Sequence, residues 1–315
     1  MKRILTITLN PTVDKSTVID QIVPEKKLRC EQPKFEPGGG GINVSKALRR
    51  LDYDSLALFP SGGRTGKLLE SLLTDEGVRY EAVQVSAETR ENFIVVASTT
   101  NQQYRFGMPG LALAPEDEAA FYSTYSGLDP FPEIVIISGS LPPGMSPEYL
   151  RKIVRAAKDK HAQVIVDTSE QALKVVLEEG VFLLKPNLGE LGRLVGVDAL
   201  DNESADEAAE ELVNAGKAEV VIVSLGAQGA YLISKDYKEH IPAPTVKKLS
   251  TVGAGDSMVA GMVSILANGG TYSEMVRMGV ACGSAATMNS GTQLFKKEDA
   301  LRLFEWLNKQ ASRKL

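Results

Sequence analysis

The amino-acid sequence predicts an α/β protein whose mainly parallel sheet is covered by helices on both faces. Short runs rich in Val, Ile and Leu, typical of strands buried on both faces, alternate with amphipathic segments. The predicted strands are 4–9, 55–59, 134–137, 164–167, 181–184 and 220–224, and the predicted helices between them are 43–51, 66–76, 147–158, 171–179 and 205–215. Strands that alternate with helices form βαβ units, so consecutive strands run parallel.

Two regions break this alternation, and the chain after residue 256 is helical. The late helices are predicted at 257–267, 272–288 and 297–310. Residues 12–35 and 89–107 contain β-type runs that no crossover helix follows, and the second region has a hairpin pattern. We expect these regions to form a small, separate antiparallel sheet, a lid on one domain that spans 1–315.

Composition limits the class of protein. The chain has 315 residues, of which 43% are apolar, and a net charge of −5, which argues against a nucleic-acid partner. Its two cysteines, Cys30 and Cys282, have no C-x-x-C spacing, so neither a disulfide framework nor a zinc site is indicated. The N-terminal apolar run is too short for a secretory signal, and no stretch reaches a membrane span. We therefore expect a cytoplasmic enzyme or binding protein without a membrane partner.

The strongest chemical motif is Ser250-Thr-Val-Gly-Ala-Gly-Asp256-Ser257, directly before an apolar helical run. Gly253, Ala254 and Gly255 can turn backbone N–H groups toward one point, and the helix start adds a partial positive charge. Phosphoryl transfer needs such an anion cradle and a carboxylate that accepts the proton of the attacking hydroxyl, here Asp256. The alternative is a glycine-rich helix entry in which Asp256 is only an N-terminal charge.

A second glycine cluster, Glu36-Pro-Gly-Gly-Gly-Gly-Ile-Asn43, also precedes a helical run. Consecutive glycines suit a site where a ligand approaches the main chain closely, and Asn43 offers a polar group for a sugar hydroxyl. The motif is not a Walker loop, because the Lys-Ser/Thr pair after the last glycine is missing. A flexible loop is the alternative.

Three further groups could bind anions or metal. Arg90 and Arg105 stand in the two halves of the lid hairpin, and guanidinium groups suit phosphate, although each alone is more typical of a solvated surface charge. Lys27 is a weaker candidate. Asn187 and Glu190 can share a helix face and order Mg²⁺ through water, or they can simply cap the helix.

Taken together, these motifs resemble the signatures of the ribokinase-like (PfkB) family of sugar kinases. The similar stretches are Gly38-Gly-Gly-Gly-Ile-Asn43, Thr251-Val-Gly-Ala-Gly-Asp256, the N-x-x-E run 187–190, and also 8–14, 138–144, 224–229 and 291–292. The resemblance spans nearly the whole chain. It implies a ribokinase-like three-layer α/β/α fold and transfer of a phosphoryl group from ATP to the C1 hydroxyl of fructose 6-phosphate, which gives fructose 1,6-bisphosphate.

The resemblance also implies roles for individual residues. Asp256 is the base beside Gly253, Ala254 and Gly255, and the sugar phosphate contacts Asp14, Lys27, Gly39, Gly40, Asn43, Arg90, Arg105, Ser138 and Gly139. ATP lies on Lys185, Asn187, Ser224, Gly226 and Gly229, with Mg²⁺ near Asn187 and Glu190. A monovalent cation such as K⁺ is expected near Ser250, Val252, Ala286, Asn289 and Gly291. Gln293 stands where relatives tend to carry a basic residue.

Several alternatives remain open from sequence. Fructose-1-phosphate and tagatose-6-phosphate kinases of the family usually have Lys at the position of Gly40, which favours fructose 6-phosphate here but leaves those substrates possible. A non-catalytic sugar- or nucleotide-binding module and a nucleoside kinase are further alternatives. The apolar lid residues Val18, Ile19, Ile22, Val23, Phe93, Val95 and Val96 predict a homodimer joined lid to lid.

Overall fold

The structure is a computed structural model that describes residues 1–168, 170–197, 200–289, 291 and 293–312. The strands are β1 Ile4–Ile7, β2 Thr12–Ile19, β3 Lys34–Gly38, β4 Leu56–Ser61, β5 Tyr80–Gln84, β6 Arg90–Ala97, β7 Gln102–Phe106, β8 Ile134–Ser138, β9 Gln163–Asp167, β10 Val181–Leu184, β11 Ala218–Ser224, β12 Ala230–Ser234 and β13 Lys238–Ile241. The helices are α1 Gly40–Arg50, α2 Gly63–Asp75, α3 Pro115–Ser126, α4 Pro147–Asp159, α5 Glu170–Val176, α6 Leu188–Val195, α7 Asn202–Asn214, α8 Ala254–Ala267, α9 Tyr272–Thr287 and α10 Lys297–Ser312.

The larger sheet has the strand order β13-β12-β11-β10-β9-β8-β1-β4-β5. Its strands from β11 to β5 pair in parallel, as the alternation of strands and helices predicts. At one edge β12 and β13 run antiparallel, each to its neighbour. Strands β5, β12 and β13 and helix α3 were not predicted from the sequence. β5 and β13 are half-exposed edge strands with a weak apolar pattern.

Helices cover both faces of this sheet, which gives three layers. Along β8, Ile134 and Ile136 pack with α1, α8, α9 and α10, whereas Val135 and Ile137 pack with α3 to α7 on the other face. Successive side chains of a strand point to opposite faces, so a strand between two helix layers needs apolar residues throughout. Each fully buried aliphatic side chain contributes about 1.5–3 kcal/mol. No helix within the described ranges is long and apolar enough to span a membrane.

The smaller sheet has the order β3-β2-β6-β7, and we call it the lid sheet. The prediction that it is purely antiparallel was wrong. β2 and β6 pair in parallel along eight residues, from Thr12 beside Arg90 to Ile19 beside Ala97, and the outer pairs are antiparallel. Both central strands leave the parallel main sheet, β2 after β1 and β6 after β5, so they run in the same direction.

At both glycine motifs the helix begins three residues earlier than predicted. α1 begins at Gly40 instead of residue 43, and α8 begins at Ala254 instead of residue 257. Asn43 and Asp256 therefore stand in the first turns of these helices. This places both side chains near free N–H groups of a helix start.

Candidate active site

Three of the predicted site residues, Ser138, Lys185 and Ser224, lie at the carboxyl ends of the parallel strands. Ser138 ends β8, Asp167 ends β9, Lys185 follows β10 and Ser224 ends β11. The first turn of α8 brings Asp256 to the same edge, close enough to influence Asp167 and Lys185 electrostatically. Ligands of open α/β sheets bind in the crevice outside these strand ends.

Asp256 is hydrogen-bonded to the first glycine-rich helix. Nδ2 of Asn43 donates to Oδ2 of Asp256 at 2.9 Å. α8 begins after Gly253, which has a φ of 71° in the left-handed region and no side chain to cap the helix. The start of α8 therefore presents N–H groups and a partial positive charge beside a carboxylate, as an anion cradle requires.

The pKa of Asp256 is raised to about 7. Burial of the carboxylate is the main cause, and the negative charge of Asp167 adds to it. Asn43, Lys185 and Ser138 oppose the increase by stabilising the ionised form. Although Asp256 keeps some accessible surface, protein surrounds its carboxylate, so a pKa near neutrality is the expected result of this environment.

Lys185 forms a largely buried ion pair beside the cradle. Its Nζ lies 3.3 Å from Oδ1 of Asp167, and the lysine side chain is only 5% exposed. Burial alone would lower the pKa of Lys185, but attraction to Asp167, Glu190 and Asp256 outweighs burial and raises the pKa. A Cβ on Gly255 would lie 3.6 Å from this ammonium group, so the cation stands against the start of α8.

Glycines allow the start of α1 to touch the end of β8. A Cβ at Gly40 would lie 2.2 Å from Oγ of Ser138 and 2.8 Å from N of Gly139. Gly39 has a φ of 115°, and a Cβ there would lie 2.7 Å from Cγ2 of Thr8. The glycine run is thus required for close packing of α1 against Thr8 and Ser138, as well as for any approach of a ligand. A flexible loop would not need such close packing.

Asp14 lies on the lid sheet among cations. Nδ2 of Asn92 donates to its Oδ1 at 2.9 Å, and the two residues are paired across β2 and β6. Burial raises the pKa of Asp14, while Asn92, Lys46, Arg90 and Arg105 partly offset this increase. The structure therefore brings Asp14, Arg90 and Arg105 into one charged region.

The guanidinium of Arg90 is held by backbone carbonyls. Nη1 donates to O of Met108 at 2.6 Å and Nη2 to O of Asn10 at 3.0 Å. Nε is buried and lacks a hydrogen-bond partner among the residues that the structure describes. Arg105 is exposed on β7, and Lys27 is exposed in the connection between β2 and β3. Arg90 is thus the most firmly positioned of the three predicted phosphate ligands.

Asn187 and Glu190 form a capping box at the start of α6. Oδ1 of Asn187 accepts from N of Glu190 and Oε2 of Glu190 accepts from N of Asn187, both at 2.9 Å. The capping alternative is therefore observed. The capping box uses Oδ1 and N of Asn187 but not its Nδ2. Asn187 also pairs with Ser224, and Gly226 and Gly229 follow with φ of 59° and 102°. These predicted ATP ligands thus line one edge together.

The residues expected to bind Mg²⁺ and a monovalent cation offer different ligands, a carboxylate for Mg²⁺ and backbone carbonyls for the monovalent cation. Within the described ranges, no three His, Cys, Asp or Glu side chains cluster closely enough to hold a metal ion by themselves. Mg²⁺ commonly binds through one carboxylate, waters and substrate phosphates, and Glu190 fits that role.

Near the expected monovalent cation, Oγ of Ser250 donates to O of Gly291 at 2.9 Å, and O of Ala286 accepts from N of Asn289 at 3.2 Å. Each carbonyl retains a second lone pair for a cation.

Sequence reasoning missed several residues of this region. Asp167, Asn92 and Asn10 contact predicted site residues but were not predicted as site residues themselves, although Asn10 lies within the motif stretch 8–14. Asp167 had a usable signal, because it ends a predicted strand at the carboxyl edge. The partners of Asn92 and Asn10 had no such signal, because they come from other segments of the chain.

Comparison with known proteins identifies the family of the chain. A family model described as pfkB family carbohydrate kinase matches residues 4–299. ATP-dependent 6-phosphofructokinase isozyme 2 of Escherichia coli is 45% identical over 98% of this chain and 100% of its own length. Crystal structures of E. coli phosphofructokinase-2 in complex with potassium and with fructose-6-phosphate superpose with TM-scores of 0.94 and 0.92, at 44% and 43% identity, and each comparison covers 98% of this chain and 100% of the other. The chain therefore belongs to the pfkB family of carbohydrate kinases, with the ribokinase-like fold that its motifs predict.

Proposed function

We propose that the protein is an ATP-dependent 6-phosphofructokinase that phosphorylates the C1 hydroxyl of fructose 6-phosphate. The observation that carries the proposal is the pairing of Asp256 with Asn43 at the start of α8, in a chain 45% identical over nearly its whole length to an enzyme of that name. The proposal treats residues 1–315 as one kinase domain with a lid, and a cytoplasmic location remains a prediction from sequence.

Asp256 acts as the general base in this proposal. It accepts the proton of the C1 hydroxyl as the oxygen attacks the γ-phosphate of ATP, and the N–H groups at Gly253 to Gly255 stabilise the charge that spreads over the phosphoryl oxygens. A pKa of about 7 leaves a substantial ionised fraction at neutral pH and keeps the carboxylate basic enough to take the proton. Lys185, which stands beside the same helix start, adds positive charge near the transferring group.

The lid supplies the sugar-phosphate contacts in this proposal. Asp14 accepts hydrogen bonds from sugar hydroxyls, while Arg90 and Arg105 bind the 6-phosphate; Lys27, Gly39, Gly40, Asn43, Ser138 and Gly139 complete the sugar site. Guanidinium donors bind phosphate through charge-assisted hydrogen bonds. The electrostatic influence of both arginines on Asp14 supports this arrangement, because it requires all three to lie in one region.

ATP and its metal ions occupy the opposite side of the cradle. Lys185, Asn187, Ser224, Gly226 and Gly229 line the nucleotide, and Mg²⁺ near Glu190 would neutralise charge on the phosphates. A monovalent cation such as K⁺ would lie against the carbonyls around Ser250, Val252, Ala286, Asn289 and Gly291. The potassium complex of the E. coli relative supports potassium as the monovalent cation.

Fructose 1-phosphate and tagatose 6-phosphate are the alternative substrates. Kinases for these sugars usually carry Lys at the position of Gly40. In this chain even a Cβ at that position would come within 2.2 Å of Ser138, so the structure is built around glycine. This local packing supports fructose 6-phosphate over the alternatives.

A second copy of the chain is the proposed partner of the lid. Phe35, Lys15, Phe93 and Phe106 stand in register across the lid strands, and the three rings are 38–49% exposed. Because side chains alternate along a strand, this aromatic row lies on the face opposite Asp14 and Asn92. Ile19 of the predicted interface set is instead buried within the protomer. An exposed row of three aromatic rings suits an isologous dimer, in which the same face of each protomer covers the other.

A coupled assay of ADP release separates the candidate functions. We expect kcat/KM for fructose 6-phosphate to exceed that for fructose 1-phosphate by about 10²-fold or more, because fructose 1-phosphate lacks the 6-phosphate and so loses a charge-assisted contact. It should also exceed that for tagatose 6-phosphate, which keeps the 6-phosphate and differs in the configuration of one hydroxyl. A higher value for either alternative sugar would contradict the substrate assignment. Preference for a nucleoside would indicate a nucleoside kinase, and no ADP with any acceptor would indicate a binding module.

A further inference from the structure

We propose that Glu88 is a positioning residue that fixes the root of β6 on the start of α2 and thereby sets the position of Arg90. The inference rests on the proposed function, in which Arg90 contacts the sugar phosphate. It concerns the junction between the lid and the main domain, where residues 88–91 meet residues 62–65.

The carboxylate of Glu88 sits on the backbone at the start of α2. N of Thr65 donates to Oε1 of Glu88 at 2.8 Å, and a Cβ on Gly63 would lie only 1.7 Å from its Oε2. Gly62, which precedes the helix, has no side chain to cap it. The backbone N–H groups of Thr65 and Arg64 hold the pKa of Glu88 below its usual range. An ionised carboxylate therefore caps this helix, and it comes from the connection between β5 and β6.

The neighbours of Glu88 dock on the same turn. N of Thr89 donates to O of Gly62 at 3.0 Å, and N of Gly62 donates to Oγ1 of Thr89 at 3.1 Å. Oγ1 of Thr65 donates to Oε1 of Glu91 at 3.2 Å. Residues on both sides of Arg90 are thus attached to the start of α2, so the backbone of Arg90 is fixed at its base.

This anchoring matters because Arg90 begins β6. Its guanidinium reaches across to the carbonyls of Asn10 and Met108, and two residues later Asn92 binds Asp14. A shift of the first residues of β6 would move the Arg90 guanidinium and the Asn92–Asp14 pair together. Glu88 has no direct contact with Arg90, Asn92 or Asp14 among its described hydrogen bonds, so its effect on them passes through the strand.

Steady-state kinetics of Glu88→Gln and Glu88→Ala test the proposal, because Glu88 is exposed and its replacement should not unfold the protein. We expect KM for fructose 6-phosphate to rise about three- to tenfold, more for Ala than for Gln, with kcat and KM for ATP within about twofold. Glu81→Gln, at another exposed glutamate, is the matched control and should change neither KM. Hydrogen exchange at the Thr65 amide should accelerate in both Glu88 variants.

A double-mutant cycle with Arg90→Ala shows whether Glu88 acts through Arg90. In the Arg90→Ala background, Glu88→Gln should have no further effect on KM for the sugar phosphate. If Arg90→Ala raises this KM and Glu88→Gln leaves it unchanged, the positioning role is wrong and the proposed function stands. If the effects of Glu88→Gln and Arg90→Ala on KM for fructose 6-phosphate are additive, Glu88 does not act through Arg90. If neither Arg90→Ala nor Glu88→Gln changes this KM, both this inference and the assignment of Arg90 as a phosphate ligand are wrong.

Discussion

Asn43 donates a hydrogen bond of 2.9 Å to Asp256, although the two residues are separated by 213 positions in the chain. Each stands in the first turn of a helix that follows a glycine motif. The contact joins the two motifs into one site and stabilises the ionised form of the carboxylate, while burial acts in the opposite direction.

Asn43→Ala should make the activity more sensitive to acid. The variant loses a hydrogen bond that lowers the pKa of Asp256, so this pKa should rise above about 7. Because the base acts when ionised, the acidic limb of the kcat/KM profile should move to higher pH by about one pH unit. The deficit relative to wild type should be largest near pH 6 and shrink above pH 8. A deficit that is constant with pH would mean that Asn43 contributes only to sugar binding.

Arg105→Ala should weaken binding of the phosphorylated sugar. Loss of a charge-assisted hydrogen bond costs about 1.5–3 kcal/mol, so KM for fructose 6-phosphate should rise on the order of 10- to 100-fold, while KM for ATP changes little. Arg90→Ala should have a comparable effect on that KM and should also loosen the contacts with Asn10 and Met108. Equal increases of KM for both substrates in Arg105→Ala would instead indicate a misfolded lid.

Val95→Asp should disrupt the proposed dimer. Val95 shares the face of the aromatic row with Phe93 and Tyr104, whereas Val96 points to the face of Asp14. In analytical ultracentrifugation, Val95→Asp should sediment as a monomer, and Val96→Asp, the control on the other face, should remain dimeric. Because Arg105 lies between Tyr104 and Phe106, the monomer should also have a raised KM for the sugar phosphate. A monomer with full activity at low enzyme concentration would contradict this coupling.

Much of this arrangement was predictable from sequence because strand and helix patterns are local. The parallel strands from β11 to β4, the late helices and the residues Asn43 and Asp256 were identified by apolar runs and glycine motifs. The parallel pairing of β2 with β6 was missed, since it depends on the direction in which distant strands leave the main sheet. The hydrogen bonds of Asn10 and Asn92 were missed for a similar reason: each joins segments about 80 residues or more apart, and no local pattern encodes such partners.

Asp256→Asn should stabilise the fold at neutral and alkaline pH. The pKa of Asp256 is raised in the folded protein to about 7 from the ordinary 3.8, so ionisation disfavours the folded state. The contribution of this group to stability is fully present near pH 4 and is lost as pH rises toward 7. In urea denaturation at pH 8, the variant should gain on the order of 2 kcal/mol, and the gain should vanish near pH 4. A gain that grows toward acidic pH would contradict the burial of an ionisable carboxyl.

The kinetics of Asp256→Asn test the central claim most directly. We predict that kcat with fructose 6-phosphate falls by ~10²- to 10⁴-fold, while the dissociation constant of ATP, measured by calorimetry, stays within about threefold of wild type. The amide keeps the shape of the side chain but cannot accept the proton of the C1 hydroxyl. A kcat within about threefold of wild type would show that Asp256 is not the base and would contradict the account.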